Sequence, residues 1–412
     1  MTKLEDVVSL AKRRGFVFAG SEIYGGLANT WDYGPLGVEL KNNIKKLWWR
    51  VFVHDREDVV GLDGGILMNP KVWEASGHVK NFKDGLVECK KCHKRFRLDK
   101  LEDASKCPEC GGEFTKEKFF SGMFKTVIGP VEALGLETYL RPETAQAIFV
   151  NYKNVLDSTN MKVPFGIAQI GKAFRNEITT GQFIFRTLEF EQMEIEFFVD
   201  GGEWEKWFDH WVLEVEAFLK GVGISKKNYH KNDIPKEELA HYSKKTIDFE
   251  YDFPFGRDEL LGLAYRTDHD LKVHGFKNPP HVIEPSMGVD RMVLAVLLDA
   301  YSVEKDRVVL KLDPKVAPFK AAVFPLLRNK PELTKLARKV YEDLKKEFVV
   351  AWDDRGNIGK RYRAQDEIGT PMCITVDFDS LEDGSVTIRD RDSMKQKRIK
   401  INKLNEEIAG II

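Results

Sequence analysis

The chain has 412 residues, 42% of them hydrophobic and 31% charged, with 64 basic against 65 acidic side chains and a formal net charge of −1. One core no longer suffices at this length, so two or three domains are expected, and the composition excludes a disordered or fibrous chain. No run of about 18 apolar residues is present to cross a membrane, and near-neutral charge means that a polyanionic partner must be met by local basic patches.

Between Met1 and Phe18 the apolar residues are broken up by Lys3, Glu5, Asp6, Lys12, Arg13 and Arg14. That is unlike a secretory signal, and the cytoplasm is the expected compartment. Leu40, Ile44, Leu47, Trp48 and Val51 then recur at helical spacing over 38–53, behind a turn at Gly34, Pro35 and Gly37. An apolar stretch over 59–68, interrupted at 63–65, reads as strand. A Cys-rich insertion covers about 86–115. Residues 164–175 read as strand, a polar loop runs to about 184, and a second strand follows over 185–199, so the pair forms a long antiparallel hairpin. Residues 203–220 are a helix, strand signals return at 246–253 and 281–284, and an apolar helix over 288–300 begins at a glycine.

The pattern changes past Asp313-Pro314. A strand over 321–327 leads to a helix with Leu333, Leu336, Val340 and Leu344 on one face, then to strands at 348–352 and 372–376 and a charged hairpin around Gly384. Such alternation predicts a small α/β domain of about 95 residues. Its last strand carries Lys395, Lys397, Arg398, Lys400 and Lys403. Such a run is a solvated strand face in most proteins and a phosphate contact in one that binds nucleic acid.

Four of the five cysteines stand as Cys89-x-x-Cys92 and Cys107-x-x-Cys110. Two tight turns about 14 residues apart suit a tetrahedral thiolate site, in which four protein ligands leave no open position, so a zinc ion there would be structural. The alternative is a knuckle that holds no metal. Cys373, inside the apolar run 371–376, reads as a core residue.

The chemistry concentrates in two stretches. Phe174-Arg175-Asn176-Glu177 is followed by Arg186-Thr187-Leu188-Glu189-Phe190-Glu191-Gln192-Met193-Glu194. An arginine at a strand end can fork onto a phosphate or carboxylate, and Glu189 and Glu191 share one face of the returning strand. Alone, this is also the pattern of an ordinary polar hairpin. A hundred residues later, Glu284-Pro285-Ser286-Met287-Gly288-Val289-Asp290-Arg291 leads into the apolar helix, whose N-terminus favours anions and whose glycine admits a ligand close to the backbone. Neither a Gly-x-x-x-x-Gly-Lys loop nor a Gly-x-Gly-x-x-Gly fingerprint is present, which argues against P-loop and Rossmann nucleotide sites.

Taken together these segments resemble the bacterial-type, homodimeric glycyl-tRNA synthetases, a family of class II aminoacyl-tRNA synthetases. Residues 69–78, Asn-Pro-Lys-Val-Trp-Glu-Ala-Ser-Gly-His, resemble the end of motif 1, which forms the dimer interface in the family. Arg175 to Glu177 with Arg186 to Phe190 resemble motif 2, and Gly288 to Arg291 resemble motif 3. Arg141-Pro142-Glu143-Thr144-Ala145-Gln146 matches a segment shared by several class II synthetases.

The resemblance implies an α+β fold: an antiparallel sheet flanked by helices as catalytic domain over 1–312, the Cys-rich zinc-ribbon-like insertion over 86–115, and an α/β anticodon-binding domain over 315–412. It implies a glycine–tRNA ligase that joins glycine to ATP as glycyl-adenylate and then to tRNA-Gly, with ATP as substrate, magnesium, optional structural zinc, a homodimer and no membrane. It carries ATP contacts onto Arg175, Asn176, Glu177, Phe185, Arg186, Thr187, Leu188, Glu189, Phe190, Glu259, Leu260, Gly288, Val289, Asp290 and Arg291. Arg175, Glu177 and Arg291 take the catalytic roles. Glycine contacts fall on Arg97, Glu143, Phe190, Glu191, Gln192, Met193, Glu194, Arg266, Glu284, Pro285, Ser286, Met287 and Gly288, and zinc ligands on Cys89, Cys92, Cys107 and Cys110. Lys360 to Arg363 and the basic strand are the expected tRNA contacts. The chain is short for the family and looks trimmed at about 225–250.

Two rivals share parts of this pattern. A sibling synthetase for threonine, proline, serine or histidine would need groups to read a side chain, whereas several carboxylates around a small cavity suit the ammonium of glycine. A non-catalytic, nucleic-acid-binding homologue commonly loses the motif arginines, and here Arg175, Arg186 and Arg291 all stand.

Overall fold

The computed structural model describes residues 3–98, 101, 103–131, 134–177 and 181–412. Parts of two expected segments, 99, 100 and 102 in the Cys-rich insertion and 178–180 in the polar loop, lie outside the described residues.

Period-two burial builds a seven-stranded central sheet. Its strands lie in the order Tyr229–Asp233, Lys245–Phe253, Gly256–Thr267, His281–Gly288, Glu189–Val199, Phe165–Phe174 and Val59–Gly61. Every neighbouring pair is antiparallel except the last, where Val59–Gly61 runs parallel to Phe165–Phe174. The expected hairpin is present, from Glu189 opposite Phe174 to Phe198 opposite Phe165.

Three local expectations are corrected. The returning strand begins at Glu189 and not at 185, because Phe183–Phe185 forms a 3-10 turn whose rings enter the core, Phe183 edge-on to Trp31 and Phe185 against Phe253 and Phe255. The apolar stretch at 59–68 pairs only over Val59–Gly61. Beyond it Gly64 donates to Gln169 Oε1 (3.1 Å) and accepts from Arg141 Nη1 (2.7 Å), so side chains take the backbone groups that a ladder would use. The strand Gly256–Thr267, unexpected from the sequence, lies inside the sheet with much of its second half buried, so its apolar run hides the alternation of a half-buried strand.

One face of the sheet packs on the helices Pro35–Trp49, Trp204–Gly221 and Val289–Ala300, around Trp48, Phe52, Phe197, Trp211 and Phe218. The other packs on Ala145–Ser158 through Phe149, Phe165, Phe198 and Val282, and the remainder of that face is left for a cavity.

Residues from Ala321 onward have their own apolar cluster and a five-stranded sheet. Val350–Trp352, Ala321–Pro325 and Met372–Val376 are parallel, and Ser385–Asp390 and Gln396–Lys400 are added antiparallel. Gly384, at φ 63°, ends the short helix Phe378–Asp383; the hairpin turns instead at 391–395. Cys373 is buried in a small cluster with Phe324. Asp366, fully buried, accepts both Nη atoms of Arg389 (2.8 and 2.9 Å) and Nη1 of Arg307 (2.7 Å), which ties this sheet to the strand Arg307–Leu310.

Candidate active site

A cavity of about 480 Å³ opens on the sheet face beside Ala145–Ser158. It has a carboxylate end and an arginine end.

At the carboxylate end the strand Glu189–Val199 presents Phe190, Gln192 and Glu194. Glu194 is buried: Oε2 accepts from Thr144 Oγ1 (2.5 Å) and Oε1 from Ser286 Oγ (2.8 Å). Gln192 Oε1 accepts the Thr144 N–H (3.2 Å). From the next two strands come Glu284 and Arg266. The Arg266 guanidinium forks onto Asp270 (Nε and Nη2, each 2.8 Å), donates to Glu284 Oε2 (2.5 Å) and lies 3.9 Å from the Tyr242 ring. Glu143 accepts from Gln146 (3.1 Å) and faces His78 (3.4 Å). Burial alone would raise the Glu143 carboxyl, but His78, Arg266 and Gln146 hold it far below the usual carboxylate range.

At the arginine end, Arg175 Nε is tied to the Pro142 carbonyl (3.0 Å), with the guanidinium 5.3 Å from the Phe190 ring. Arg291 stands at the N-terminus of Val289–Ala300. Its Nη1 donates to the Glu259 carbonyl and to Glu259 Oε2, both at 2.9 Å, and its charge lies 4.5 Å from the Phe185 ring. Glu177 and Arg186 also line this end. Asp248, which the sequence does not flag, is pushed up to about 7 by burial and by the nearby Glu259 and Glu250. The negative charge around it exceeds what Arg291 offsets, a setting in which a cation is favoured.

Behind the cavity wall lies a charge network. Asp290 accepts from Tyr33 OH (2.5 Å), Lys41 Nζ (3.0 Å) and the Glu191 N–H (2.9 Å). Lys41, nearly buried, also reaches Glu191 (2.8 Å), which takes Lys45 as well (3.0 Å). Burial would lower the Lys41 amine, but the two carboxylates raise it overall.

Of the residues named from the sequence, Arg175, Glu177, Phe185, Arg186, Thr187, Phe190, Glu259, Leu260, Gly288, Asp290 and Arg291 line this cavity. So do Glu143, Gln192, Glu194, Arg266, Glu284 and Ser286. Others fall elsewhere. Met193 and Met287 face each other across their strands on the core side, where Val289 is also buried, and Pro285 is buried outside the lining. Glu191 is held by the lysine network, Glu189 by Lys172 (2.6 Å), and Asn176 and Leu188 by backbone bonds to Gly122 and Asn29. Arg97 sits on the strand Arg95–Arg97, outside the lining. Arg361 is buried and donates to four backbone carbonyls, among them Pro325 O (2.6 Å). Tyr33, Lys41, Tyr242, Asp248 and Asp270 were not anticipated, since single polar residues outside a motif carry no spacing signal.

The four thiols meet. Cys89 and Cys110 Sγ are 3.4 Å apart, Cys92 and Cys107 3.7 Å, and all four lie within 4.8 Å of one another. The N–H groups of Cys92 and Lys91 point at Cys89 and pull its thiol down to about 6. The other close cluster of possible ligand atoms among the described residues is an acidic trio, Glu194, Glu196 and Glu284.

An antiparallel sheet with paired arginines and carboxylates on one face, followed by a smaller α/β unit, defines a class II aminoacyl-tRNA synthetase. Residues 131–301 match the tRNA synthetase class II core domain (G, H, P, S and T), and residues 320–411 match the anticodon binding domain. Relatives include the glycine–tRNA ligases of Alkaliphilus oremlandii, 54% identical over 97% of this chain and 96% of that protein, and of Thermobifida fusca, 51% identical over 98% and 97%. The glycine–tRNA ligase of Borreliella burgdorferi is 51% identical over 98% and 96%. The chain belongs to the glycine–tRNA ligase family. The first of these alignments spans 449 positions against 412 residues here, so that relative carries segments this chain lacks. A prolyl-tRNA synthetase structure from Cryptosporidium parvum, complexed with halofuginone and AMPPNP, superposes with a TM-score of 0.69 at 15% identity, covering 98% of this chain and 74% of that one; it shows the shared fold. Among the described residues no helix is long and apolar enough to cross a membrane.

The raised Asp248 carboxyl gives a signed expectation. Its folded-state value lies above the ordinary 3.8, so the folded protein prefers it protonated, and a destabilising contribution grows as pH rises from about 4 to about 7. Asp248→Asn is expected to raise unfolding free energy at pH 8 by up to about 2 kcal/mol after allowance for solvent screening, and to change nothing at pH 4. Urea unfolding at the two pH values checks it; equal effects at both would refute it.

Proposed function

We propose that this cavity carries out the ligase reaction with ATP along the arginine end and glycine at the carboxylate end. The observation that carries the reading is that fixed positive and fixed negative groups occupy opposite ends of one cavity of small-molecule size. The glycine carboxylate attacks the α-phosphorus of ATP, giving glycyl-adenylate and pyrophosphate. The terminal ribose hydroxyl of tRNA-Gly then takes the glycyl group and AMP leaves. Arg175, oriented by Pro142, meets the charge developing at the α-phosphate, and Arg291 meets the far phosphates; positioning and charge stabilisation supply the rate.

Magnesium would be held by the phosphates with Glu177 and Glu259, oxygen donors of the kind it prefers, and would supply charge neutralisation there. Glu194, Glu284 and Ser286, with Glu143 nearby, receive the ammonium, and their mutual hydrogen bonds leave little room for a side chain on Cα. Arg266, already engaged by Asp270 and Glu284, acts by holding Glu284 in place.

Residues 1–312 form the catalytic domain and 315–412 the anticodon-binding domain in this reading. Lys360 and Arg363 are better placed for tRNA than Arg361, whose guanidinium is spent on backbone carbonyls. The basic strand is partly neutralised by its own neighbours, with Arg398 on Asp377 and Asp383 and Lys397 on Glu407. The enzyme works in the cytoplasm as a homodimer. The Cys89, Cys92, Cys107 and Cys110 cluster holds a structural zinc, since metal–sulfur bonds of about 2.3 Å in a tetrahedron give sulfur–sulfur edges of about 3.8 Å, near those observed.

ATP–pyrophosphate exchange across the twenty amino acids tests the central reading. Exchange with glycine alone is expected, and Arg175→Ala should lower it by about 10²-fold or more with the fold intact. Exchange with another amino acid overturns the pocket assignment, and exchange with none favours a binding protein without catalysis. A chain ending at residue 314 should keep glycine-dependent exchange, sediment as a dimer and lose aminoacylation of tRNA; equal loss of both activities would refute the division. Metal analysis should find one zinc per chain, absent when Cys89 and Cys110 are both changed to serine.

A further inference from the structure

Two residues beyond Glu194 on the same face of the same strand lies Glu196, with no accessible surface and no hydrogen-bond partner for either carboxyl oxygen. Buried polar groups are nearly always satisfied, and such an exception calls for an explanation. Glu196 itself does not line the cavity, but one oxygen from each of Glu194, Glu196 and Glu284 lies within 4.8 Å of the others, and Glu194 and Glu284 do line it.

We infer that Glu196 is a positioning residue of the ammonium pocket, a carboxyl that keeps its proton while the pocket is empty and yields it to solvent when an ammonium group enters. This rests on the reading of Glu194 and Glu284 as the glycine end of the cavity.

The argument begins with charge. The groups facing Glu196 are Glu194 on its own strand, Glu284 on the neighbouring strand, Arg266 on the strand beyond and Asp270 at the helix His269–Val273. Its partner in register on Phe165–Phe174 is the apolar Ile167. From Ala145–Ser158 comes neutral Gln146, bonded to Asp270 (3.4 Å) and to His274 (2.9 Å), whose ring burial keeps below its ordinary value. Four carboxyls thus share one guanidinium in a water-poor interior, and they cannot all be ionised. Arg266 donates to Asp270 and Glu284, and Thr144 and Ser286 donate to Glu194. Burial first, then Glu284, raises the Glu196 carboxyl well above the usual range, and burial raises Glu284 as well; of the two, Glu284 accepts from Arg266 while Glu196 has no donor, so the proton is placed on Glu196.

An incoming ammonium adds one positive charge within the trio and removes the reason for the proton to stay. The balance is simple: glycine enters as the zwitterion, the Glu196 O–H bond breaks, the proton goes to solvent, and no other bond changes. The bound ammonium then meets an anionic trio.

The test uses the full-length enzyme and the KM for glycine in pyrophosphate exchange between pH 6 and 9. Binding coupled to release of one proton should lower that KM about tenfold per pH unit while Glu196 stays protonated in the free enzyme. Glu196→Gln should lose this slope and bind glycine more weakly at high pH, with the KM for ATP unchanged. Retention of the wild-type slope in Glu196→Gln overturns the inference. Should that variant not fold, calorimetry of glycine binding to the wild type in two buffers of different ionisation enthalpy decides: one proton released supports it, none overturns it. Glu194→Gln separates the two levels, because an unchanged KM for glycine there would remove the pocket reading itself.

Discussion

The two-residue period of the strand Glu189–Val199 is the constraint on which the site depends. Met193, Ile195, Phe197 and Val199 enter the core under Trp211, while Gln192, Glu194, Glu196 and Phe198 face the other way. A strand in the middle of a sheet cannot slip by one residue without exchanging those faces. Here a slip would put Gln192 and two glutamates into the aromatic core, so apolar burial on one side fixes the carboxylates on the other. Pairing with Phe165–Phe174 and His281–Gly288 extends the same register to Ser286 and Glu284.

Around that strand, buried charges do the joining. Asp290 gathers Tyr33, Lys41 and the Glu191 backbone, so the helix Pro35–Trp49, the returning strand and the N-terminus of Val289–Ala300 meet on one carboxylate. The neighbouring Arg291 inherits its place from this anchor. Arg141 does the same on the opposite side: buried, it bonds to the carbonyls of Lys172 and Gly64 and passes so close to Gly171 that a Cβ there would stand 2.2 Å from its Nη2. The glycine at 171 is required by the arginine at 141. Breaking such buried pairs on one side is costly, typically about 3–5 kcal/mol, because the charge left behind has no solvent.

How much of this could be read from the sequence follows from what a linear pattern records. The hairpin, the helices over 203–220 and 288–300 and the strand at 372–376 are periodic, and periodicity survives without tertiary context. The Arg175 and Arg291 segments were legible because charged residues in an apolar run stand out, and the four cysteines because their spacing is short. Lys41, Asp248 and Asp270 were not: Lys41 gains its role from Asp290 far along the chain, and Asp248 and Asp270 from burial and neighbours that only the folded sheet brings together. The strand Gly256–Thr267 was missed because its apolar run hides the alternation, and Gly384 misled because one positive-φ glycine serves equally for a hairpin or a helix end. Glu191 and Glu194 look alike in sequence; three positions along a strand place them on opposite faces, one on the lysines and one in the cavity.

The two ends of the cavity solve opposite electrostatic problems. On the proposed reading, polyphosphate carries its own surplus of negative charge, so the arginine end can remain partly open, with Arg291 held by Glu259 until it exchanges that contact for phosphate. An ammonium carries one charge and no bulk, and the site that receives it has to pay for desolvating carboxylates before the ligand arrives. Dispersing the burden lowers it: Arg266 donates to Glu284, hydroxyls from Thr144 and Ser286 donate to Glu194, and on the inference above a proton neutralises Glu196. Each support is local and already in place, so the ligand supplies the one charge that the empty pocket lacks. A larger amino acid would bring the same ammonium but no further compensation for the volume of its side chain, and rejection by crowding then needs no dedicated recognition group.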